Sequence, residues 1–464
     1  MLNLYSSKIY KYSPVLLQNG FITIQGLVSS RVRRGQWFRH LQEELLRNES
    51  LTSEELEAMQ LAKLGRLLQH AYQWVPYYTR LFDRLGLRPE DFQSIEDLKK
   101  LPLLEKETVR ELGEEFIARN ANRIALIKGA TSGTTGSPLS LYMNRELIES
   151  EHAFVWRQYR WAGRPWNGRT AVFRGDLIVP VEQDRPPFWR YDAHSRELYF
   201  STYHLSEHTA EAYSTQLRLF DPSFIYAYPS ILYALAGFLK KHDPSLSFGS
   251  LRGIVTSSET LCEHQKTMIE DVFKARVFDW YGLFERVIFI GTCPFGSYHV
   301  FPDYGITEYI PAGMSGSNRL YELVGTGFSN LVFPLVRYRT GDIVSLAEGD
   351  CPCGRHFPRV NCISGRENDA IVTPSGRRIC MVDSVFKGEN IRFAQIVQKS
   401  LRELDVLVVP GPGYTISDEN KLIAEMKLRV GGDMQVAVKV VADIPRLPNG
   451  KFKLIVTQLG RHLQ

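Results

Sequence analysis

The chain lacks a long apolar run, and this absence argues against a membrane-spanning helix. No uncharged apolar stretch of 18 residues, the length that indicates a transmembrane helix, occurs among its 464 residues. The N-terminus also lacks a compact apolar segment followed by a small-residue cleavage site, so we predict no secretory signal. These two features together predict a cytoplasmic protein.

Cysteine is scarce, with six residues in the whole chain. That number in a chain of this length excludes a disulfide framework, which is typical of short secreted domains. Cys351 and Cys353 are separated by a single residue, a spacing that favours a metal site over a disulfide bridge. The cysteine content therefore also predicts a reducing, cytoplasmic setting.

The chain lacks a strong charge of either sign, since 56 basic residues face 51 acidic ones and the net charge is +5. No nucleic-acid motif accompanies this mild excess, and an anionic small molecule would suit it equally well. One N-terminal segment combines arginine with aromatic residues: Arg31, Arg33, Arg34, Trp37, Phe38 and Arg39. We predict a solvated basic helix face there, and contact with an anionic membrane surface is the alternative.

The length predicts two or more domains. Thr52 to Glu55 has the pattern of a capping box before a helical periodicity that breaks near Pro76, and a second start signal lies at Ser94 to Asp97. From Ile124 onward, short apolar strands alternate with helical patterns. This alternation predicts an α/β sheet that binds ligands at the carboxyl ends of its strands.

We predict an α/β protein with a large multi-layer N-terminal domain of mixed sheets and helices and a small mobile α+β C-terminal domain. Residues 1–125 form the mainly helical first part of the large domain. Residues 126–366 form its α/β core, and 367–464 form a C-terminal lid, with the junction at 366–369.

The segment KGATSGTTGSPLSLYMN, residues 128–144, is rich in glycine and hydroxyl groups. Glycine turns direct backbone N–H groups at anions, and hydroxyl side chains add donors without charge. The loop therefore suits a nucleotide polyphosphate, although it lacks the spacing of a Walker loop. Alone, it is explained equally well as a hairpin turn. The alternating LSLYMN that follows predicts a strand.

Four further segments follow in order: YGLFE at 281–285, YRTGD at 338–342, GREND at 365–369 and PRLPNGKFK at 445–453. In this order and spacing, the five segments resemble those of the acyl-adenylate-forming superfamily. The likeness is to its phenylacetate–coenzyme A ligases and to the CapK-like proteins of polysaccharide gene clusters. It extends from HAYQWVPYYTRLF to Lys451 and implies ATP, Mg²⁺ and a carboxylic acid as ligands.

The resemblance also implies roles for individual residues. The phosphates would lie against the glycine loop: Thr131, Ser132, Gly133, Thr134, Thr135 and Gly136. Adenine and ribose would lie against Ser257, Ser258, Glu259, Tyr281, Gly282, Arg339 and Asp342. Glu285 would bind Mg²⁺, Arg366 would contact ribose or phosphate, and Lys451 would bridge the carboxylate and the α-phosphate. Tyr228 and Pro229 would border the acyl group.

Three positions depart from the family pattern. Ser137 stands where lysine is common, Phe284 stands where Ser or Thr precedes the glutamate, and Asn368 replaces an acidic residue at the junction. We predict an ATP-dependent ligase that forms an acyl-adenylate and passes the acyl group to coenzyme A, or to a sugar or carrier in polysaccharide synthesis. The alternatives are a non-catalytic nucleotide-binding scaffold and an enzyme that transfers AMP.

A set of cysteine and histidine residues predicts a structural metal site. Cys293 and His299 lie in CPFGSYH, and Cys351 and Cys353 lie in CPCGRH. Two such pairs suit a tetrahedral Zn²⁺ ion, and relatives in the resembled branch have a similar CPCGR segment. Two alternatives stay open: reduced side chains with no metal, and His356 in place of His299.

Overall fold

The computed structural model describes residues 7–130, 139–315, 318–366, 371–374, 378–379, 390–446 and 452–459. Its α-helices are, in chain order, α1 Lys8–Tyr12, α2 Val15–Arg33, α3 Gln36–Asn48, α4 Ser53–Trp74, α5 Pro76–Leu85, α6 Lys106–Glu111, α7 Arg145–Trp161, α8 Ala210–Phe220, α9 Pro229–His242, α10 Glu263–Phe273 and α11 Ile416–Val430. Short 3₁₀ helices span Pro89–Asp91, Ile95–Lys100, Gly113–Phe116 and Arg123–Ala125.

The strands of these ranges form four sheets. They are β1 Ile127–Ala130, β2 Ser140–Met143, β3 Thr170–Arg174, β4 Trp189–Asp192, β5 Glu197–Ser201, β6 Phe224–Ala227, β7 Gly253–Ser257, β8 Val277–Gly282, β9 Phe289–Thr292, β10 Tyr298–Val300, β11 Gly305–Ser315, β12 Asn318–Gly327, β13 Tyr338–Leu346, β14 Arg359–Arg366, β15 Ile371–Val372, β16 Arg378–Ile379, β17 Ile391–Ser400, β18 Glu403–Pro410, β19 Gln435–Val440 and β20 Ile455–Thr457.

Helix start signals in the first part of the chain are confirmed. The Thr52 side chain accepts from the Glu55 backbone N–H, and the Glu55 carboxylate accepts from the Thr52 backbone N–H, so both ends of the capping box form. α4 ends at Trp74, and Pro76 opens α5, where its missing N–H costs nothing. Ser94 caps the 3₁₀ helix Ile95–Lys100.

A 12-stranded sheet in the order β11-β12-β13-β14-β10-β9-β8-β7-β6-β3-β5-β4 forms the centre of the protein. Strands β5, β3, β6, β7 and β8 run parallel, and the remaining neighbours pair antiparallel. Every residue of β7 is buried because helices cover both faces of a parallel sheet. The predicted alternation of strands and helices is confirmed, and so is the mixed α/β class.

The strand predicted after the glycine loop is also confirmed. β1 and β2 pair antiparallel from Ile127 opposite Met143 to Ala130 opposite Ser140. This hairpin places the two ends of the connecting segment side by side. The connection itself, residues 131–138, lies outside the described residues.

The C-terminal part of the chain forms its own four-stranded sheet, in the order β19-β18-β17-β20. β17 and β18 pair antiparallel, whereas β19 and β20 join their neighbours in parallel. α11 begins at the Thr415 and Asp418 capping box and buries Leu422 and Met426 against this sheet. The unit therefore has a hydrophobic core of its own.

Within the described ranges, no helix has both the length and the apolar character needed to cross a bilayer.

Candidate active site and metal cluster

The carboxyl ends of the parallel strands meet at one edge of the large sheet. β3 ends at Arg174, β6 at Ala227, β7 at Ser257 and β8 at Gly282. Loops that leave parallel strands at this edge form the ligand crevice of α/β proteins. The residues predicted to border adenine and the acyl group follow directly from these ends.

Tyr281 and Asp342 lie in contact at this edge. The Tyr281 hydroxyl donates to Asp342 Oδ2 at 2.7 Å, and burial together with this carboxylate raises the pKa of Tyr281. Asp342 is buried, and its backbone N–H donates to Thr340 Oγ1 at 3.0 Å. In the β13–β14 pair, Asp342 lies opposite Arg366, and for Arg366 the structure describes the backbone position alone. The structure thus brings three predicted nucleotide residues together.

Glu285 is buried, and its Oε1 accepts a hydrogen bond from the Tyr338 hydroxyl at 2.9 Å. The preceding Phe284 packs beneath the β1–β2 hairpin. A Cβ atom built on Gly129 would lie 2.5 Å from Phe284 Cζ and 3.0 Å from Met143 Cε. The aromatic ring therefore lies close against Gly129, directly before the glycine loop, and would have to shift to admit a side chain there.

Arg174 is a candidate site residue that the sequence interpretation did not include. Its Nη1 donates to the Tyr226 hydroxyl at 2.7 Å and to Ser257 Oγ at 2.9 Å, and its Nη2 lies 3.4 Å from Ser258 Oγ. The guanidinium also lies 4.3 Å from the centre of the Tyr228 ring. Arg174 therefore joins the segment predicted for adenine to a residue predicted for the acyl group. Its position at the carboxyl end of an apolar strand, β3, is the signal that could have identified it.

Glu259 connects the large sheet to the C-terminal unit. Its Oε2 accepts from the Ser230 backbone N–H at 3.1 Å, and its Oε1 accepts from the Phe452 backbone N–H at 2.6 Å. Burial raises the pKa of Glu259 in spite of these donors. Arg446 Nη1 adds a second connection by donating to Ser230 Oγ at 2.7 Å. The residue next to Lys451 is therefore held at the crevice.

Two further predicted nucleotide residues contact neighbouring side chains: Arg339 contacts carboxylates, and Gly282 lies against an aromatic ring. The Arg339 guanidinium makes a two-point ion pair with Glu322, in which Nε lies 3.0 Å from Oε1, and its Nη1 lies 3.2 Å from Glu105 Oε1. Its charge is thus shared with two carboxylates. A Cβ on Gly282 would lie 2.8 Å from the Trp280 ring, so a larger residue at this strand end would have to displace the ring.

The remaining predicted contacts lie outside the described residues: Thr131, Ser132, Gly133, Thr134, Thr135, Gly136 and Lys451.

The four predicted metal ligands cluster in the structure. One ligand atom from each of Cys293, His299, Cys351 and Cys353 lies within 4.8 Å of all the others. The Cys293 and Cys351 sulfurs are 3.6 Å apart, and Cys353 Sγ is 3.3 Å from His299 Nε2. Two sulfurs bound tetrahedrally at about 2.3 Å from zinc would be about 3.8 Å apart. The spacing of the group therefore fits a zinc ion.

The histidine of this cluster is oriented for metal binding. His299 Nδ1 lies 3.2 Å from the Phe357 carbonyl oxygen, and donation of its proton there leaves Nε2 as the free acceptor. Burial lowers the pKa of His299 to about 4, so the ring is in its neutral, ligating form at neutral pH. His356 is exposed and is not part of the cluster among the described residues.

Comparisons with known proteins show similarity along the whole chain. The family model of the CapK C-terminal domain matches residues 371–458. Protein CapK of Staphylococcus aureus is 25% identical over 462 residues, which cover 97% of this chain and 99% of that protein. A phenylacetate-coenzyme A ligase of Thermus thermophilus is 28% identical over 347 residues, which cover 70% of this chain and 73% of that enzyme.

Similar architecture occurs among solved structures. 2-Hydroxyisobutyryl-CoA ligase, in its postadenylation state with R3-HIB-AMP, aligns with a TM-score of 0.68 at 18% identity and covers 90% of this chain and 92% of that one. In its thioesterification state with 2-HIB-AMP and CoA, the same ligase aligns with a TM-score of 0.54. These likenesses establish a shared fold.

Proposed function

We propose a function for this chain, which is homologous to CapK and to phenylacetate-coenzyme A ligases and has the fold of the adenylate-forming ligases. It activates a carboxylic acid with ATP as an acyl-adenylate, releases pyrophosphate, and transfers the acyl group to coenzyme A or another acceptor. The observation that carries this proposal is the hydrogen bond from Phe452 to Glu259. It joins Phe452, the residue after Lys451 in sequence, to Glu259, which follows the end of β7.

Charge neutralisation is the main demand of the proposed first step. A carboxylate that attacks the α-phosphate of ATP faces anion–anion repulsion, which fixed positive groups relieve in the transition state. Lys451 supplies one positive group at the attacked phosphorus. Glu285 is a buried oxygen ligand of the kind that Mg²⁺ prefers, and bound Mg²⁺ would offset the charge of the pyrophosphate.

The domain arrangement is part of the proposal. We place the large domain at 1–366, with its nucleotide- and acyl-binding core at 126–366, and the lid at 367–464. Rotation about the junction at 366–369 would withdraw Lys451 after the first step and admit the acceptor. The hydrogen bonds of Glu259 and Arg446 would have to break during this movement.

We also propose the acceptor of the acyl group and the pathway in which the protein acts. Similarity to protein CapK covers nearly the full length of both chains. We therefore propose a role in cell-surface polysaccharide synthesis, in which the acceptor is an amine or a hydroxyl of a sugar or carrier, with coenzyme A as the other candidate. We also propose Zn²⁺ at the cluster of Cys293, His299, Cys351 and Cys353 as a structural ion.

The test of the overall function is ATP–pyrophosphate exchange measured over a broad panel of carboxylic acids. Exchange that depends on one class of acid supports the ligase. Measured ATP binding without exchange for any acid counts against it. Mass spectrometry of the products then separates acyl transfer from transfer of AMP.

A second candidate function is nucleotide binding without turnover. Phe284 favours it, because an aromatic ring under the Gly129 hairpin replaces a hydroxyl that could donate to phosphate. In that case the protein would serve as a scaffold or sensor, and its cellular effect would survive loss of Lys451.

Asp342→Asn is expected to weaken ATP binding by about 10-fold or more, because hydrogen bonds to a charged group contribute about 1.5–3 kcal/mol. The carboxylate is proposed to accept from the ribose hydroxyls, and the amide would provide a single acceptor. Isothermal titration with Mg²⁺-ATP measures the change. Tyr281→Phe, which removes the hydroxyl on Asp342 but keeps the ring, is expected to have a smaller effect. Unchanged affinity in Asp342→Asn would place ribose elsewhere.

Arg174→Met is expected to raise the KM for the acid in the exchange assay by about 10-fold or more. The reason is that this guanidinium lies between Ser257 and Tyr228, where the acid and the nucleotide are proposed to meet. Arg169→Met is the matched control, because Arg169 precedes the opposite end of the same strand and pairs with Asp221. Equal effects of the two variants would show that Arg174 only supports the strand.

A further inference from the structure

Helix α2 exposes an apolar stripe to solvent. Leu16 is 83% exposed, Leu17 59%, Ile24 58% and Val28 50%. At about 100° per residue these four positions fall within about a third of the helix circumference. In the adjacent helix α1, Ile9 and Tyr12 are also exposed, at 73% and 78%. We call this set of six residues the N-terminal apolar face.

The opposite side of α2 contacts the protein through apolar and polar groups, since Ile22 is buried with Ile178 and Val179 and polar side chains contact the neighbouring strand. It lies along β4, the edge strand of the large sheet. Asn19 Oδ1 accepts from the Tyr191 backbone N–H at 3.0 Å, and Thr23 Oγ1 accepts from the Ala193 backbone N–H at 3.1 Å. Gly26 allows close approach at this strand, because a Cβ there would overlap the Asp192 carboxylate.

This arrangement departs from the usual amphipathic pattern, because α2 has apolar residues on its exposed side as well as Ile22 on its buried side. A helix that only covers a sheet edge would turn its apolar side inward, because burial of apolar surface stabilises the fold. α2 buries Ile22 and satisfies the edge with amide and hydroxyl groups, but it leaves a second, larger set of apolar side chains outside. Exposed apolar surface of this extent, beside polar neighbours, indicates an interaction site.

The net positive charge of the N-terminal segment indicates which kind of partner the N-terminal apolar face binds. Residues 1–42 contain six basic residues and no Asp or Glu, whereas the remaining chain has 50 basic and 51 acidic residues. The whole positive excess of the protein therefore lies in the part of the chain that contains α1 and α2. Arg31 is exposed on the same side of α2 as Ile24 and Val28. A helix with an exposed apolar side and basic residues is typical of binding at an anionic membrane surface.

We propose that the N-terminal apolar face docks on the surface of an anionic phospholipid bilayer, with α2 lying in the plane of the interface. The apolar side chains would enter the headgroup boundary, and Arg31, which is exposed on the same side, would contact lipid phosphates. A second copy of the chain is a poorer partner, because two acid-free segments of equal charge would have to meet. The inference does not depend on the proposed ligase activity.

Vesicle co-sedimentation of the full-length protein tests this proposal. We expect binding to phosphatidylcholine vesicles that contain phosphatidylglycerol, weaker binding to pure phosphatidylcholine, and a decrease with rising salt. The double variant Leu16→Glu with Ile24→Glu is expected to reduce partitioning by about 10-fold or more, since it replaces two inserted side chains with charge. Both positions are solvent-exposed, so the variant should fold as the wild type does, and circular dichroism checks this.

Leu219→Glu is the matched control, because Leu219 is 74% exposed on α8 and is not part of the N-terminal apolar face. It is expected to bind vesicles as the wild type does. Three results would overturn the proposal. The first is no binding of the wild type to either vesicle, and the second is equal loss of binding in both variants. The third is a wild-type dimer that the double variant converts to a monomer while vesicle binding is unchanged, which would assign the face to self-association.

Discussion

Lys451→Ala is expected to lower acid-dependent ATP–pyrophosphate exchange by about 100- to 1,000-fold, as removal of one preorganised electrostatic group commonly does. Its amine is proposed to neutralise the charge that develops as the carboxylate attacks the α-phosphate. Lys451 lies outside the described residues, but its neighbour Phe452 is held at the crevice through Glu259. The lysine is therefore expected to act on the step itself, and ATP binding by titration should change by much less than the exchange rate.

Lys421→Ala provides the matched control for this experiment. Lys421 is an exposed lysine on α11 of the same C-terminal unit, and its loss should leave exchange at the wild-type rate. Equal rates in wild type and Lys451→Ala would refute the assigned role. A cellular effect that persists in Lys451→Ala would instead support the scaffold, because a ligase requires its first half-reaction.

Cys351→Ser is expected to abolish stoichiometric zinc. The wild-type protein, purified without chelator, should contain one zinc ion per chain by plasma mass spectrometry. Loss of a direct ligand should weaken binding by more than the roughly 10–100-fold cost of changing an outer-shell partner. Since the cluster joins the end of β9 and β10 to the β13–β14 loop, metal loss should also lower the midpoint of thermal unfolding.

Cys362→Ser is the control for the metal site, because Cys362 contacts Ser345 and lies outside the cluster. It should retain full zinc content. His299→Ala and His356→Ala decide between the two histidines that the sequence left open, and we expect zinc loss in the first variant only. A wild type that contains no zinc after growth in zinc-supplemented medium would favour the metal-free alternative.

Local signals were sufficient to predict many elements of the fold. The Thr52–Glu55 box, the break near Pro76, the strand after the glycine loop and the alternation of strands and helices from Ile124 onward are encoded within short windows. Capping and hydrophobic periodicity depend on neighbours in sequence, which explains this success. The order of the motif segments was likewise sufficient to suggest the relationship to CapK and the phenylacetate-coenzyme A ligases.

Contacts between distant segments were less accessible to sequence interpretation. Arg174 was missed because its partners, Ser257 at the end of β7 and Tyr228 before α9, are far from it in sequence. Arg339 was grouped with the nucleotide residues by its place in YRTGD, yet its guanidinium pairs with Glu322 on the neighbouring strand. The choice of His299 over His356 also required knowledge of which loops meet.

The sequence by itself determined which residue types are available, where helices and strands begin, and that positive charge is concentrated before residue 43. Tertiary structure alone decided that Glu259 contacts the C-terminal unit and that α2 turns Leu16 and Ile24 towards solvent. The physical reason is that helical and strand periodicity define the faces of an element, whereas the choice of the face that is buried depends on groups far away in the chain. For α2, those groups are the backbone amides of the edge strand β4.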